Sequence, residues 1–201
     1  MSDLGCIILA GGESRRMGTN KALLRRTPGG PTLIERVVAT LRPFGPPLLV
    51  TNTPEVYAWL DLPMVPDARP GTGALGGLYS GLLAAAAPYN FVVACDMPAL
   101  QPALLQHMAD QPRAYDVLIP RWTEPGRSKP VLETLHAIYS TACLPAIAAH
   151  LDAGDLRLIS FLPDVRVQYV DEPALRAVDP DLRSFRNLNT PEEWAAAESR
   201  S

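Results

Sequence analysis

Leu4-Gly5-Cys6-Ile7-Ile8-Leu9-Ala10-Gly11-Gly12-Glu13-Ser14-Arg15-Arg16-Met17-Gly18-Thr19-Asn20-Lys21 is an apolar run that ends in a glycine-rich, basic loop. Leu4–Leu9 reads as a short buried strand. Glycines beyond a strand let the backbone approach a ligand closely, and their N–H groups can cradle an anion. Arg15, Arg16 and Lys21 add cations to the same loop, a combination that suits a triphosphate. The place is also right, because open α/β sheets bind ligands beyond the carboxyl ends of their strands. The loop is not a P-loop, which needs Gly-Lys-Ser/Thr in succession, whereas Thr19-Asn20 separate Gly18 from Lys21 here. The competing reading of the loop is a solvated basic turn.

Outward from this loop the pattern alternates. Leu33, Ile34, Val37, Val38 and Leu41 recur at helical spacing and predict a helix over Thr32–Leu41. Leu48–Thr51 reads as a strand, Pro54–Leu60 as a short helix and Met64–Val65 as a short strand. Leu75–Ala87 is helical and stopped by Pro88; Phe91–Ala94 is a strand, apolar throughout as burial on both faces requires. Gln101–Asp110 follows as a helix and Asp116–Ile119 as a strand. This rhythm predicts an α/β fold with a mostly parallel central sheet and helices on both faces. Beyond it, Arg121–Lys129 reads as a polar loop and Val131–Leu135 as a strand. Ala137–Leu151 reads as a long helix, Leu156–Phe161 as a short helix and Val165–Val170 as a strand. Thr190-Pro191-Glu192-Glu193 is a capping box that starts a last helix.

Composition narrows the classes. The 201 residues predict one domain spanning 1–201. A net charge of -3 argues against a nucleic-acid grip through a large basic face. No apolar run approaches the roughly 18 residues that would span a membrane. With 47% hydrophobic and 19% charged residues the chain is not disordered, and 14 Gly with 21 Pro stay below the level of low complexity. Met1-Ser2-Asp3-Leu4 lacks the basic stretch of a secretory signal. Cys6, Cys95 and Cys143 form neither a disulfide framework nor a zinc spacing, so a reduced, cytoplasmic setting is expected.

Three further stretches carry chemistry. Gly71-Thr72-Gly73-Ala74-Leu75-Gly76 is a literal G-x-G-x-x-G, and Asp96 stands 20 residues beyond Gly76. A dinucleotide fingerprint should follow a strand immediately. Here Pro66-Asp67-Ala68-Arg69-Pro70 precedes it, so a loop over a substrate or a tight turn is the better reading. Phe91-Val92-Val93-Ala94-Cys95-Asp96-Met97-Pro98 delivers a carboxylate as a buried strand ends, where it can hold Mg²⁺ beside a triphosphate or simply cap a turn. Cys95 reads as an inert core thiol, and His107, His136 and His150 as structural or surface residues. In Phe185-Arg186-Asn187-Leu188-Asn189 the two amides fall on one side if the segment is extended, where they can orient a phosphate or add an oxygen ligand near Asp96.

Together these pieces resemble the molybdenum cofactor guanylyltransferases, the MobA family. Leu9-Ala10-Gly11-Gly12 through Met17-Gly18-Thr19-Asn20-Lys21-Ala22-Leu23-Leu24 is similar to its nucleotide loop, Pro66-Asp67 with Gly73-Ala74-Leu75-Gly76-Gly77 to its second glycine segment, and Cys95-Asp96-Met97-Pro98 to its metal-site turn. Asn187-Leu188-Asn189-Thr190-Pro191-Glu192-Glu193 is similar to its C-terminal signature, and Leu135-His136-Ala137-Ile138-Tyr139 and Gly154-Asp155-Leu156-Arg157 fall in family order. The chain departs at Asn20, where the family usually has an acid, and at Ala74, where it often has proline.

The resemblance implies a Rossmann-like, three-layer nucleotidyltransferase fold and a Mg²⁺-dependent transfer of GMP from GTP to the molybdopterin cofactor. It implies nucleotide contacts from Leu9, Ala10, Gly11, Gly12, Lys21, Asn52, Asp67 and Asp96, with Asp96 also holding the metal. Lys21, Arg16 and Asp96 would be catalytic, and Asn187 and Asn189 would lie on the pterin or phosphate side. Hand-over of an oxidation-sensitive product to a molybdoenzyme or its chaperone is implied as well. Gly12 in Leu-Ala-Gly-Gly favours guanine over the related cytidylyltransferases, which carry Leu-Ala-Ala-Gly. Three alternatives stay open: the cytidylyltransferase, a sugar-phosphate nucleotidyltransferase, and a nucleotide-binding module without catalysis.

Overall fold

β1 (Leu4–Leu9) is buried at all of its positions, because helices cover both faces of the sheet around it. The computed structural model describes residues 3–11, 20–25, 27–97 and 99–185. α1 (Leu33–Leu41) starts at a capping box in which Thr32 Oγ1 accepts from Glu35 N and the Glu35 carboxylate accepts from Thr32 N. Those bonds hold the Glu35 carboxyl below its ordinary range. The helix buries Leu33, Ile34, Val37, Val38 and Leu41, each worth about 1.5–3 kcal/mol when fully removed from water.

β2 (Pro47–Val50), α2 (Pro54–Tyr57) and β3 (Met64–Val65) follow, then α3 (Gly73–Ala84) and β4 (Tyr89–Ala94). α4 (Pro102–Ala109), β5 (Val117–Trp122), β6 (Val131–Leu132) and β7 (His136–Ser140) come next. α5 (Leu144–Asp152), β8 (Val167–Asp171) and α6 (Glu172–Val178) complete the described elements. They form an eight-stranded sheet of order β3-β2-β1-β4-β7-β5-β6, with β8 paired to β5. β2 and β4 flank β1 in parallel, and β3 continues in parallel beside β2. β7 runs antiparallel between β4 and β5, β6 antiparallel to β5, and β8 parallel to β5.

Alternation along β1 sends Leu4, Cys6 and Ile8 into one apolar layer and Ile7 and Leu9 into the other. The first layer is filled by α1, α4 and α6 through residues such as Val37, Leu104 and Leu175. The second is filled by α3 and α5 through Leu75, Leu78, Leu82, Ile147 and Leu151. The expected three-layer arrangement is present: a sheet between two helical layers.

The second half corrects the sequence reading. Ala137–Leu151 is not one helix: His136–Ser140 is a fully buried strand, a 3₁₀ turn covers Thr141–Cys143, and the helix begins at Leu144. Ile138 and Tyr139 suit a pleated position, and Pro145, in the first turn of α5, would have broken a longer helix. Leu156–Phe161 is not helical either; a 3₁₀ turn follows at Leu162–Asp164. β5 runs on to Trp122, shortening the polar loop, and β6 ends at Leu132. α6 was not anticipated; Pro173 in its first turn is the local signal. The last predicted helix, from Thr190, lies outside the described residues.

Candidate active site

Leu9, Val50, Val65 and Ala94 form one transverse row across β1, β2, β3 and β4, because Leu9 pairs with both Val50 and Ala94 and Val50 pairs with Val65. All four strands are parallel, so the row marks their common carboxyl edge. The second residue beyond it is Gly11 on β1, Asn52 on β2, Asp67 on β3 and Asp96 on β4. In spatial order they run Asp67, Asn52, Gly11, Asp96. At about 4.8 Å per strand the arc spans roughly 14 Å, the scale of an extended nucleotide. Chain reversal between β1 and β4 makes this the topological switch point of the sheet, where open α/β folds bind ligands.

Backbone hydrogen bonds carry the order past the strand ends. Ala10 N donates to Val50 O at 2.9 Å, Cys95 N to Leu9 O at 3.1 Å, and Thr51 N to Val65 O at 2.9 Å. Gly11 is exposed, and no described residue beyond its chain neighbours lies within 4 Å of where its Cβ would stand. Asp96 is exposed in the turn after β4. Beside it, burial first and the Asp96 charge second push the Cys95 thiol up to about 12, which leaves it an inert neutral thiol.

Lys21 sits in a 3₁₀ turn, Lys21–Leu23, where the chain returns from the loop. Asn20 caps that turn: its Oδ1 accepts from Ala22 N at 3.1 Å, and its Nδ2 donates to the Tyr57 hydroxyl at 3.0 Å. Tyr57 is buried at the end of α2, so the return segment is tethered beside the helix that follows Asn52. Asn20, the departure noted above, therefore keeps both the cap and the tether.

Asn52 and Asp67 are joined directly. Asn52 Oδ1 accepts from Asp67 N at 2.8 Å. Asp67 Oδ1 accepts from Arg69 N at 3.0 Å and from Ser80 Oγ at 2.9 Å. Arg69 is held in turn by Asp152 at 2.7 Å and lies 5.8 Å over the Tyr79 ring, which ties the segment after β3 to α3 and α5. Gly71 and Gly73, at φ +83° and +65°, make the turn into α3 that only glycine adopts without strain. The G-x-G-x-x-G thus opens a helix, five residues and a turn after β3 rather than directly from it.

On the far side of β4, His136 opens β7 opposite Val93. It is wholly buried, and neither ring nitrogen has a hydrogen-bond partner among the described residues. Phe185 packs edge-on against it at 5.2 Å and stacks on Trp122 at 6.2 Å. Trp122 Nε1 donates to Glu133 Oε1 at 2.8 Å, and burial holds the Glu133 carboxyl above its ordinary range.

Leu9, Ala10, Gly11, Asn52, Asp67 and Asp96 therefore come together at one edge. Gly12, Arg16, Asn187 and Asn189 lie outside the described residues. Sequence reasoning missed Ser80, Arg69 with Asp152, and Tyr57; a serine within the otherwise apolar or aromatic Leu75–Ala84 run was the available signal for Ser80. Among the described residues no group of three or more His, Cys, Asp or Glu could hold a metal. One exposed carboxylate still fits Mg²⁺, which keeps several waters and binds through one or two carboxylates plus substrate phosphates. No helix among the described residues is long and apolar enough to cross a membrane.

Residues 6–167 match the model of the MobA-like NTP transferase domain. A probable molybdenum cofactor guanylyltransferase of Chloroflexus aggregans is 42% identical over 193 residues, covering 93% of this chain and 89% of that one. A molybdenum cofactor guanylyltransferase of Desulfosudis oleivorans is 39% identical over 196 residues, covering 96% and 93%. Among solved structures, molybdopterin-guanine dinucleotide biosynthesis protein A of Archaeoglobus fulgidus superposes with a TM-score of 0.78 at 26% identity, over 98% and 97% of the two chains. The 2-C-methyl-D-erythritol 4-phosphate cytidylyltransferase of Thermus thermophilus, at 18% identity over 96% of each chain and a TM-score of 0.70, shares the fold.

Proposed function

The chain belongs to the MobA-like NTP transferase family, and from that premise we propose that it is a molybdenum cofactor guanylyltransferase acting as one unit over residues 1–201. It transfers GMP from GTP to the molybdopterin cofactor and releases pyrophosphate. The observation that carries the reading is the row of Asp67, Asn52, Gly11 and Asp96 along one carboxyl edge, in a chain 39–42% identical to relatives of that name.

In this reading the base lies towards Asn52 and Asp67, with Leu9, Ala10, Gly11 and Gly12 under the ribose and phosphates. The terminal phosphate of molybdopterin attacks the α-phosphorus of GTP. A new P–O bond forms as the bond from the α-phosphorus to the bridging oxygen breaks, and pyrophosphate leaves with the electron pair. A phosphate is already anionic at neutral pH, so no general base is required. Catalysis is then positioning and charge stabilisation. Lys21 and Arg16 stabilise negative charge on the departing pyrophosphate, and Asn187 and Asn189 orient the pterin side. Asp96 would hold Mg²⁺, which when bound neutralises phosphate charge. The product passes to a molybdoenzyme or its chaperone, and the setting is the reducing cytoplasm.

The test is calorimetric binding of GTP, CTP, ATP and UTP, with and without Mg²⁺, to the native chain and to Asp96→Ala. Selective GTP binding whose metal dependence vanishes in Asp96→Ala is expected. Selective CTP binding would move the enzyme to cytidylyl transfer, and no binding of any nucleotide would remove the site.

A further inference from the structure

We propose that Ser80 is the positioning residue for base recognition: its hydroxyl fixes one oxygen of Asp67, so that the other accepts hydrogen bonds from the donor edge of guanine. The inference rests on the guanylyltransferase reading and adds to it the residue that sets the base preference.

Ser80 is 3% exposed, on a helix whose other buried residues are apolar or glycine. A hydroxyl buried there costs stability unless it is paired. Its pairing is directed at Asp67. Ser80 Oγ accepts from Ala68 N at 2.8 Å and has one proton to give, to Asp67 Oδ1 at 2.9 Å or to Gly76 O at 2.7 Å. The carboxylate is the stronger acceptor because the bond is charge-assisted. Arg69 N takes the same oxygen, and Asn52 Oδ1 holds the Asp67 backbone from the β2 side. None of these bonds uses Oδ2, and no hydrogen bond or ion pair is seen on it among the described residues. The carboxylate is thus held by one oxygen, which leaves the other to accept from a ligand at the carboxyl edge.

The bases differ in what they offer such an oxygen. Guanine presents two adjacent donors, N1–H and the 2-amino group. Cytosine and adenine pair one amino donor with ring acceptors, which an anionic oxygen repels. A fixed acceptor discriminates because the wrong base leaves it desolvated and unpaired. Without Ser80 the Asp67 side chain rotates, and the acceptor is no longer preorganised.

The experiment measures GTP and xanthosine triphosphate binding by calorimetry. Ser80→Ala is expected to weaken GTP binding by roughly tenfold, the loss of one hydrogen bond to a charged group. Ser80→Thr keeps the hydroxyl and wild-type affinity, whereas Ser80→Val, equal in bulk, loses it; the pair separates hydroxyl from packing. On an Asp67→Ala background Ser80→Ala should add nothing, because residues acting through one contact are not additive. Asp67→Asn turns the free acceptor into a donor and should raise the ratio of xanthosine to guanosine nucleotide affinity by about tenfold or more, since xanthine carries an acceptor where guanine has its 2-amino group. An equal effect of Ser80→Ala with and without Asp67 overturns the inference, as does an unchanged ratio in Asp67→Asn, which would assign the carboxylate to the ribose. A native chain with no preference for GTP is a separate result, and it removes the underlying reading instead.

Discussion

His136 shows how much one buried residue can set. Its ordinary pKa is near 6.5, and burial pulls it down to about 4, with Asp179 opposing weakly. The unfolded chain therefore takes up a proton below about pH 6.5 that the folded chain refuses until about pH 4. Stability is complete above that window and falls as pH drops through it, by about 3 kcal/mol at most. Urea unfolding at pH 7 and pH 4.5 should show this loss, and His136→Phe should be distinctly flatter between the two. An unchanged slope in the variant would assign the acid sensitivity to the carboxylates. At the same scale Asp96 is an exposed carboxylate in the turn after β4, so removing it should cost metal-dependent binding while leaving the fold intact.

Among the elements, α3 matters most, because it presents Ser80 to Asp67 while lying flat on the sheet. Gly81 permits that approach: a Cβ there would come 2.6 Å from Ile7 Cγ2 and 3.2 Å from Val50 Cγ2. Both neighbours are β-branched strand residues with little room to turn. Gly81→Ala should therefore destabilise the protein by about 1–3 kcal/mol, the range for overpacking a tight core, despite alanine's better helix propensity. Equal or higher stability in thermal unfolding would mean that the helix shifts freely. A second element, β8, is registered on β5 by a fork: Arg166 donates from N and Nε to Asp116 Oδ2 and from Nη2 to Asp116 Oδ1. The Asp116 carboxyl is held below its ordinary range mainly by that hydrogen bonding.

Taken whole, the described molecule is a sheet whose parallel half, β3-β2-β1-β4, carries the proposed nucleotide edge and whose other half joins β4 through the antiparallel strand β7. Binding at that edge touches the ends of β1, β2, β3 and β4 together, so it should stabilise the fold globally. At one hundred times the dissociation constant, GTP adds about 2.7 kcal/mol. For a chain of this size that corresponds to a rise in Tm of roughly 5–11 °C. Differential scanning calorimetry with saturating GTP checks it, and a shift confined to one of two separated transitions would contradict a shared edge.

The chain by itself determined the first half of the molecule and part of its candidate site. Alternating buried strands with capped, 3.6-period helices is a local signal, and glycine loops and acids at strand ends are local too. Leu4–Leu9, the helix over Thr32–Leu41, the glycine loop at Gly11 and the acid at Asp96 were therefore legible before any coordinates, whereas Asn52 and Asp67 entered as nucleotide contacts only through the family resemblance. Tertiary structure decided the rest. His136–Ser140 became a strand because β4 and β5 each offered it an edge, which outweighs the local helical look of its alanine-rich continuation. The clamp on Asp67 joins residues 13 and 15 positions away, Ser80 and Asn52, and no periodicity encodes it. Such contacts arise only when packing α3 against the sheet strips water from a hydroxyl that must then find a partner.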